Sequence, residues 1–451
     1  MTRIDRFREA GLFDSSAPRY TSYPPANHFA ELEAETYKRW LRELPDGPIS
    51  LYLHIPFCER LCWFCACRTQ AVNGPGPVVS YLEVLEAEIA RVAAALPAGV
   101  SVGRIHWGGG TPTILDAAQI ARLAGQLRAA FRVEADAEFS VEIDPACVTP
   151  ESLDALVEAG LTRASVGIQD FAPAVQDTIG RHQSFEQTRS VLAHLRAAGV
   201  ASLNADLVYG LPRQTLKRLE ATLAQIEELS PDRIALYGYA HVPWMSKRQK
   251  VIPEETLPDP VTRLGMAELS AQLLRDAGYQ AIGIDHFAKP EDGLARAARS
   301  GHLRRNFQGY TDDLMGALIG LGASSISRMP QGYAQNAPAT PAYTERVEAG
   351  LLPVTRGYAL SAEDSLRSRA IELLMCEFAL NFGGLAREMG ASVDHLRAIA
   401  AETAVRWPEA VTWQEDTLTI RPEGVPLTRL IAQSFDMFSA PGAQGRHSQA
   451  I

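Results

Sequence analysis

The sequence predicts an α/β fold: an incomplete parallel (β/α)6-type barrel with an N-terminal arm and a smaller, mostly helical C-terminal domain. Three observations predict it. Short β-rich runs recur at residues 50–57, 102–108, 138–144, 163–169, 202–209 and 233–239. Amphipathic helical stretches separate them, most clearly at 81–96, 117–131, 185–198 and 216–229. The strand-to-strand spacing of roughly 30 residues is that of βαβ units, which lay successive strands side by side and parallel.

Taken in order, residues 1–48 have little periodicity and are expected to form an arm or lid. They contain the run Pro18-Arg19-Tyr20-Thr21-Ser22-Tyr23-Pro24. Residues 49–280 carry the six strand–helix units and are expected to be the catalytic domain. From residue 258 onward the pattern changes to helices and loops, and 281–361 reads as a linking segment with substrate-side loops, among them 304–311. Residues 362–438 read as a small helical domain, with helices at 362–378, 383–389 and 393–402 and a strand pair near 411–420. The polar tail, 439–451, is expected to be disordered.

Composition narrows the function. The chain is 46% hydrophobic and 21% charged, with a formal net charge of −10. That is a globular composition without the basic face of a nucleic-acid binder, so no nucleic-acid partner is expected. A local arginine cluster would still serve an anionic small substrate. Residues 1–13 lack an apolar core, so a secretory signal is not expected. No apolar run reaches the roughly 18 residues a membrane span needs; 314–323 is short and glycine-rich. Six cysteines, four of them clustered, read as metal binding in a reducing cytoplasm.

The cluster is Cys58-Glu-Arg-Leu-Cys62-Trp-Phe-Cys65-Ala-Cys67, whose first three cysteines are spaced C-x3-C-x2-C. A structural zinc site would use all four thiolates, but the closing C-x-C is an awkward tetrahedral bite and no second CxxC pair exists. An electron-carrier ferredoxin requires other spacings. A [4Fe-4S] cluster held by Cys58, Cys62 and Cys65 fits best, and it leaves one iron without a protein ligand. Active sites of parallel α/β sheets gather at the strands' C-terminal ends. Cys58 follows the first strand and Gly108-Gly109-Gly110-Thr111-Pro112 the second; Glu142, Gln169, Asp206 and Ala240 lie at or near the ends of the next four. Singly, Glu142 and Asp206 read as helix-capping carboxylates, Gln169 as a buried amide and Arg181 as a surface cation. Together on one face they read as a site. His54 and His106 read as structural hydrogen-bonders, and Cys147 and Cys376 as core cysteines.

With these motifs the chain resembles the radical S-adenosylmethionine (SAM) superfamily and, within it, the oxygen-independent coproporphyrinogen III oxidases. The likeness rests on residues 18–24, 52–58, 106–113, 166–171, 206–212, 239–243 and 306–311, so it spans nearly the whole chain. It implies a radical SAM barrel in which Cys58, Cys62 and Cys65 hold the cluster and its open iron takes the amino and carboxylate groups of SAM. It places a first SAM at Tyr52, Gly109, Glu142 and Ile326, and a second at Phe64, Gly110, Thr111, Gln169, Arg181, Asp206 and Ala240. It also implies a cytoplasmic, monomeric enzyme of heme biosynthesis served by a one-electron donor such as a flavodoxin or ferredoxin. SAM would be cleaved to methionine and a 5′-deoxyadenosyl radical, which takes a hydrogen from a propionate β-carbon. Two propionates of coproporphyrinogen III would become vinyl groups at two SAM per turnover, giving protoporphyrinogen IX. Cys67 marks the oxidase branch. Heme-binding chaperones of the same superfamily, the alternative function, usually carry an aromatic residue there and lack the 18–24 arm. Arg19, Arg60, Arg68, Arg304 and Arg305 are candidates for the substrate carboxylates, and Tyr20, Tyr23, Phe307 and Tyr310 for the macrocycle faces.

Overall fold

The computed structural model describes residues 2–439 and 448–451. Its centre is six strands: β1 (Gly47–Ile55), β2 (Val100–Gly109), β3 (Val133–Ile143), β4 (Arg163–Gln169), β5 (Ser202–Tyr209) and β6 (Arg233–Gly238). They pair in sequence order, each parallel to the next. The connections carry the helices Gly76–Ala95, Ala117–Ala130, Pro150–Glu158, Phe185–Ala197 and Leu216–Leu229, with Pro173–Ile179 as an extra turn. Local chemistry starts several of these helices. Asp116 and Gln119 form one capping box and Ser184 and Gln187 another, satisfying amides that a helix N-terminus leaves free. Ile120, Leu123 and Leu127 then recur at helical spacing and are buried.

The strands alternate in a way that builds the site. Leu51, Leu53 and Ile55 of β1, Val141 and Ile143 of β3, and Ala164, Val166 and Ile168 of β4 are buried in the main core. Side chains alternate across a strand, so the residues between them take the other face, and there they are polar. Near the strands' N-terminal ends an ion-pair network fills the interior. Arg104 bonds Asp312 at 2.8 Å and Glu138 at 3.7 Å. Arg163 reaches Glu138 at 3.7 Å. Arg233 bonds Asp292 at 2.5 Å and Asp312 at 3.3 Å. This plug closes one end and leaves the C-terminal end open.

The sheet extends beyond the six predicted strands, to thirteen. Leu318–Leu321 pairs parallel with β1, followed by Ile326–Met329, Gly332–Asn336 and Val354–Ala359 as antiparallel neighbours. Ala30–Glu31 of the arm closes that edge, and His286–Ala288 and Gln280–Ile282 extend the other. Residues 281–361, read as helices and loops, therefore supply much of the sheet. Their strands are short and glycine-punctuated, and glycine weakens the period-2 pattern that marks a strand.

The arm is also more ordered than its sequence suggests. It contains helices Arg3–Glu9 and Ala34–Arg42. Phe7, Leu12, Phe13, Tyr20 and Tyr23 join a second core built on Leu374, Phe382, Phe435 and their neighbours in the C-terminal region. That region folds as helices Ala362–Glu377, Phe382–Met389, Asp394–Arg406 and Thr428–Gln433 around the strands Ala379–Asn381, Val411–Gln414 and Thr417–Ile420. The expectation of a disordered tail at 439–451 needs correction at its end. Residues 440–447 lie outside the described residues. Gln449 forms a bridge with Ser16, and Ala450 and Ile451 are buried in the second core. This apolar pair removes surface from water, which a polar tail does not do. Among the described residues no helix is long and apolar enough to cross a membrane.

Candidate active site

At the C-terminal ends of the strands lies a cavity of about 920 Å³. Its walls include Cys58, Cys62, Phe64, Cys65, Gly109, Gly110, Thr111, Glu142, Gln169, Arg181, Asp206, Ala240 and Ile326. The sequence-predicted residues are thus brought together, Tyr52 excepted.

The cysteine loop is held at both ends. Phe57–Cys58 pairs with Gln70–Ala71 as a short parallel ladder. Between them, the Trp63 amide donates to the Ile179 carbonyl at 2.8 Å and the Cys65 amide to the Cys62 carbonyl at 3.3 Å. The glycine loop lies alongside. The Gly110 amide donates to Ile55 O and the Thr111 amide to Phe57 O, both at 2.8 Å. A Cβ on Gly110 would sit 2.4 Å from Phe57 O, so no other residue fits this approach. Gly109 has a φ of 115°, a conformation that also favours glycine.

Polar groups converge on the sulfurs. The Thr111 hydroxyl donates to Cys58 Sγ at 3.6 Å. Arg181 Nη1 donates to Cys62 Sγ at 3.7 Å and to Asp144 at 3.0 Å. Its Nη2 bonds Gly167 O and Gln183 Oε1 at 2.8 and 3.1 Å. Arg181 is therefore a buried, fixed cation and not a surface one. Burial pushes the Cys58 thiol up to about 11 and raises Cys62 as well, against the pull of Arg181. Cys65 is pulled down, first by the hydrogen bond from the Cys67 thiol, while burial opposes the shift. Cys67 also lines the cavity, and its amide donates to Cys65 Sγ at 3.4 Å.

The donor set fits an iron–sulfur cluster. Among the described residues no three His, Cys, Asp or Glu side chains converge closely enough to hold a metal ion. Cys58, Cys62 and Cys65 all line one cavity, which suits a cubane because each iron takes its own thiolate. Arg181 Nε is buried without a partner, which leaves donor capacity beside these sulfurs.

Around the thiols, Glu142 Oε2 accepts the Gly109 amide at 3.0 Å, and Oε1 lies 3.4 Å from His106 Nε2. Burial opposes its ionisation, but His106 and the Gly109 amide prevail, so its carboxyl lies below the usual value. Asp206 is shifted up, by burial first, although Ser165 and Asn204 hydrogen-bond it at 2.7 and 2.8 Å. Tyr52 stands behind the wall. Its ring stacks on His106 with centroids 5.8 Å apart, and its hydroxyl meets His54 Nδ1 at 3.0 Å. His54 and His106 are, as read, hydrogen-bonding residues. Cys376 is buried; Cys147 is half-buried, less enclosed than a core residue.

The substrate-side candidates are placed unequally, and Tyr23, Arg304 and Arg305 line a smaller neighbouring cavity. Arg19 and Arg60 line the main cavity; Arg68, Arg304 and Arg305 do not. Arg304 is paired with Glu372 at 3.2 Å. Arg305 is buried over the Tyr310 ring at 4.4 Å and faces Asp285 at 3.6 Å. Tyr20 and Phe307 line the cavity, whereas Tyr23 and Tyr310 are core residues. Sequence reasoning missed Arg248, a cavity cation anchored to Thr69 at 2.9 and 3.0 Å. It also missed Gln249, which ties Phe64 O to Ala240 O at 2.6 and 3.1 Å. Both lie in a loop whose only sequence signal is a run of cations.

Comparison with known proteins adds a family to this geometry. The pattern of the radical SAM superfamily matches residues 52–226. Over the full length of both chains, the protein is 51% identical to the oxygen-independent coproporphyrinogen III oxidase of Paracoccus denitrificans and 49% to that of Cereibacter sphaeroides. Its fold superposes with a TM-score of 0.89 on coproporphyrinogen III oxidase from Escherichia coli, described as a radical SAM enzyme. That match has 38% identity and covers 93% of this chain and 98% of that one. The chain belongs to the oxygen-independent coproporphyrinogen III oxidases of the radical SAM superfamily.

Proposed function

We propose that this enzyme oxidatively decarboxylates two propionate side chains of coproporphyrinogen III to vinyl groups, giving protoporphyrinogen IX. Each propionate gives up one hydrogen atom to the SAM-derived radical, one electron to an external one-electron acceptor, and carbon dioxide. The observation that carries this reading is the chain-long likeness to enzymes bearing that name. Membership of the radical SAM superfamily implies a [4Fe-4S] cluster and SAM; two SAM per turnover, one for each vinyl, is the finer reading. When bound, cluster and SAM together supply a carbon radical able to take hydrogen from an unactivated C–H bond.

The chain's own residues bind, orient and shield. Cys58, Cys62 and Cys65 hold the cluster, and no fourth cysteine is asked to fill its last corner. Gly109, Glu142 and Ile326 cradle the first SAM. Tyr52 acts through His106, whose contact fixes and ionises Glu142 as an acceptor. Phe64, Gly110, Thr111, Gln169, Arg181, Asp206 and Ala240 take the second SAM. Because Arg181 also holds Cys62, it couples that position to the cluster. Arg19, Arg60 and Arg248 are the cations available to substrate carboxylates. The arm, residues 1–48, excludes water from a site where a primary radical would attack stray groups. In the same reading residues 49–280 are the catalytic domain, 281–361 carry substrate-side loops, and the enzyme works as a cytoplasmic monomer with a flavodoxin or ferredoxin as donor.

The test is anaerobic incubation of the reconstituted enzyme with SAM, dithionite and coproporphyrinogen III. Protoporphyrinogen IX with one 5′-deoxyadenosine per vinyl is expected. SAM cleavage without vinyl product would remove the oxidase reading and leave the heme-chaperone alternative.

A further inference from the structure

The hairpin of Arg304–Asn306 and Gly309–Thr311 stands at both cavities, and Phe307 at its tip lines each of them. Its two ends are held differently. The base has several anchors. The Arg305 amide donates to Glu372 and Arg305 Nε to Arg19 O, both at 3.2 Å. The Tyr310 hydroxyl donates to Met375 O at 2.6 Å and accepts from the Ile284 amide at 3.2 Å. The tip has one. Tyr237 of β6 donates its hydroxyl to Gln308 O at 3.1 Å. Among the described residues no other hydrogen bond reaches 306–309 from outside the hairpin. Packing adds little, since Phe307 is 36% exposed and meets the Tyr333 ring edge-on with centroids 6.0 Å apart.

Tyr237 is itself held from behind. The buried His286 ring packs edge-to-face on both Tyr237 and Tyr310, with centroids 5.5 and 5.3 Å apart. His286 Nε2 lies 3.5 Å from the Tyr237 hydroxyl, and Nδ1 lies 2.6 Å from Asp285 Oδ1. Burial opposes the ionisation of Asp285, but Arg305 and His286 prevail and hold its carboxyl well below the usual range. An ionised carboxylate can only accept, so Nδ1 is the donor. Asp285 in turn faces Arg305 at 3.6 Å. Burial first, then Asp285 and Asp206, push the Tyr237 phenol well up, so it stays a neutral donor. The chain thus runs from Arg305 at the hairpin's base, through Asp285 and His286, to the hydroxyl that holds its tip. The hairpin lies directly against that hydroxyl: a Cβ on Gly309 would sit 2.9 Å from it.

We propose that Tyr237 is a positioning residue for the substrate: by holding Gln308 O it fixes the hairpin tip, so that Phe307 presents its ring to a pyrrole of the macrocycle. This rests on the proposed function, since only that reading puts a tetrapyrrole in the cavity. A ring held in this way strengthens substrate binding and leaves SAM cleavage alone.

Tyr237→Phe removes the hydroxyl and keeps the ring. Hydrogen exchange followed by mass spectrometry, which requires no substrate, should show faster exchange over residues 304–311 and an unchanged barrel. With dithionite as reductant, the KM for coproporphyrinogen III should rise about fivefold, within the ratio one neutral hydrogen bond supports, while kcat and the KM for SAM hold. Phe307→Ala should raise the same KM, and adding Tyr237→Phe to it should raise that KM no further. Unaltered exchange over 304–311, or an unaltered KM, would overturn the proposal. So would additive losses, which would make Tyr237 a direct substrate contact, or faster exchange throughout the barrel, which would assign it a structural role. If wild type makes no vinyl product, the functional reading fails instead, and the exchange experiment still decides whether Tyr237 holds the hairpin.

Discussion

At the residue scale the site depends on side chains whose states are set by their neighbours. Cys62 is the clearest case, since Arg181 reaches its sulfur and also holds Asp144, Gly167 and Gln183. Cys62→Ser should lose iron, sulfide and activity together while the far-ultraviolet dichroism stays the same; iron and sulfide analysis of the anaerobically purified variant checks this. Glu88 is a second case, away from the chemistry. It is buried and accepts from Gly322 N at 2.7 Å, Tyr343 at 2.6 Å and Asn336 at 2.6 Å. Burial is the main cause of its carboxyl being pushed up to about 7. An acid with a raised folded pKa binds a proton that the unfolded chain releases. Stability from this group is therefore full below about pH 4.5 and is lost as pH rises to about 7, by roughly 3 kcal/mol in all. Denaturant unfolding between pH 5 and 7 should show this slope in wild type and a flatter one in Glu88→Gln. The gathering of the cysteines, the glycines and Glu142 on one cavity wall was legible in the sequence because all of them lie at strand ends. The commitments of Arg304 and Arg305 were not, because Glu372 and Asp285 lie far from the candidate loop except in space.

At the element scale the barrel places function by the alternation of its strands. Outward Leu, Ile and Val residues fix the register, and the inward set then has to be what it is: an ion-pair plug at one end and Glu142, Ser165 and Asp206 at the other. The six parallel strands were readable because helices of regular length separate them. The strands between 318 and 359 escaped notice because each is only four to six residues long. The glycine loop is the element where geometry is tightest. In Gly110→Ala the new methyl would meet backbone, the Phe57 carbonyl, which cannot rotate away as a side chain can. The cysteine loop must shift, and a displacement of that order costs about a hundredfold in rate. SAM-cleavage kinetics should show that loss, with thermal unfolding little altered.

At the scale of the whole molecule the arm and the C-terminal end meet at the cavity wall, which Pro18, Arg19 and Ser448 line. Arg429 joins them. It donates to Pro18 O at 3.0 Å, to Ala17 O, and to Gln449 O and Ala450 O at 3.1 Å each. Burial, and then the charge of Arg19, pull its guanidinium down to about 9. Arg429→Ala would leave these carbonyls, part-buried apart from the exposed one of Gln449, without this donor. A stability loss of about 3 kcal/mol is expected, with faster proteolysis of residues 1–24 and a higher KM for coproporphyrinogen III; limited proteolysis and denaturant unfolding check it. The sequence suggested an arm or lid but not how it is anchored, since the arm looked irregular and the last residues looked like a tail. Their order comes from contacts about 400 residues apart along the chain, which no local pattern encodes.

The central claim is that three thiolates hold the cluster and leave one iron for SAM. Electron–nuclear double resonance on the reduced enzyme, with SAM labelled by oxygen-17 in its carboxylate, tests it most directly. A hyperfine coupling to the label, present in wild type and in Cys67→Ser, is the predicted result. A cluster signal that shows no coupling and does not change when SAM is added would contradict it.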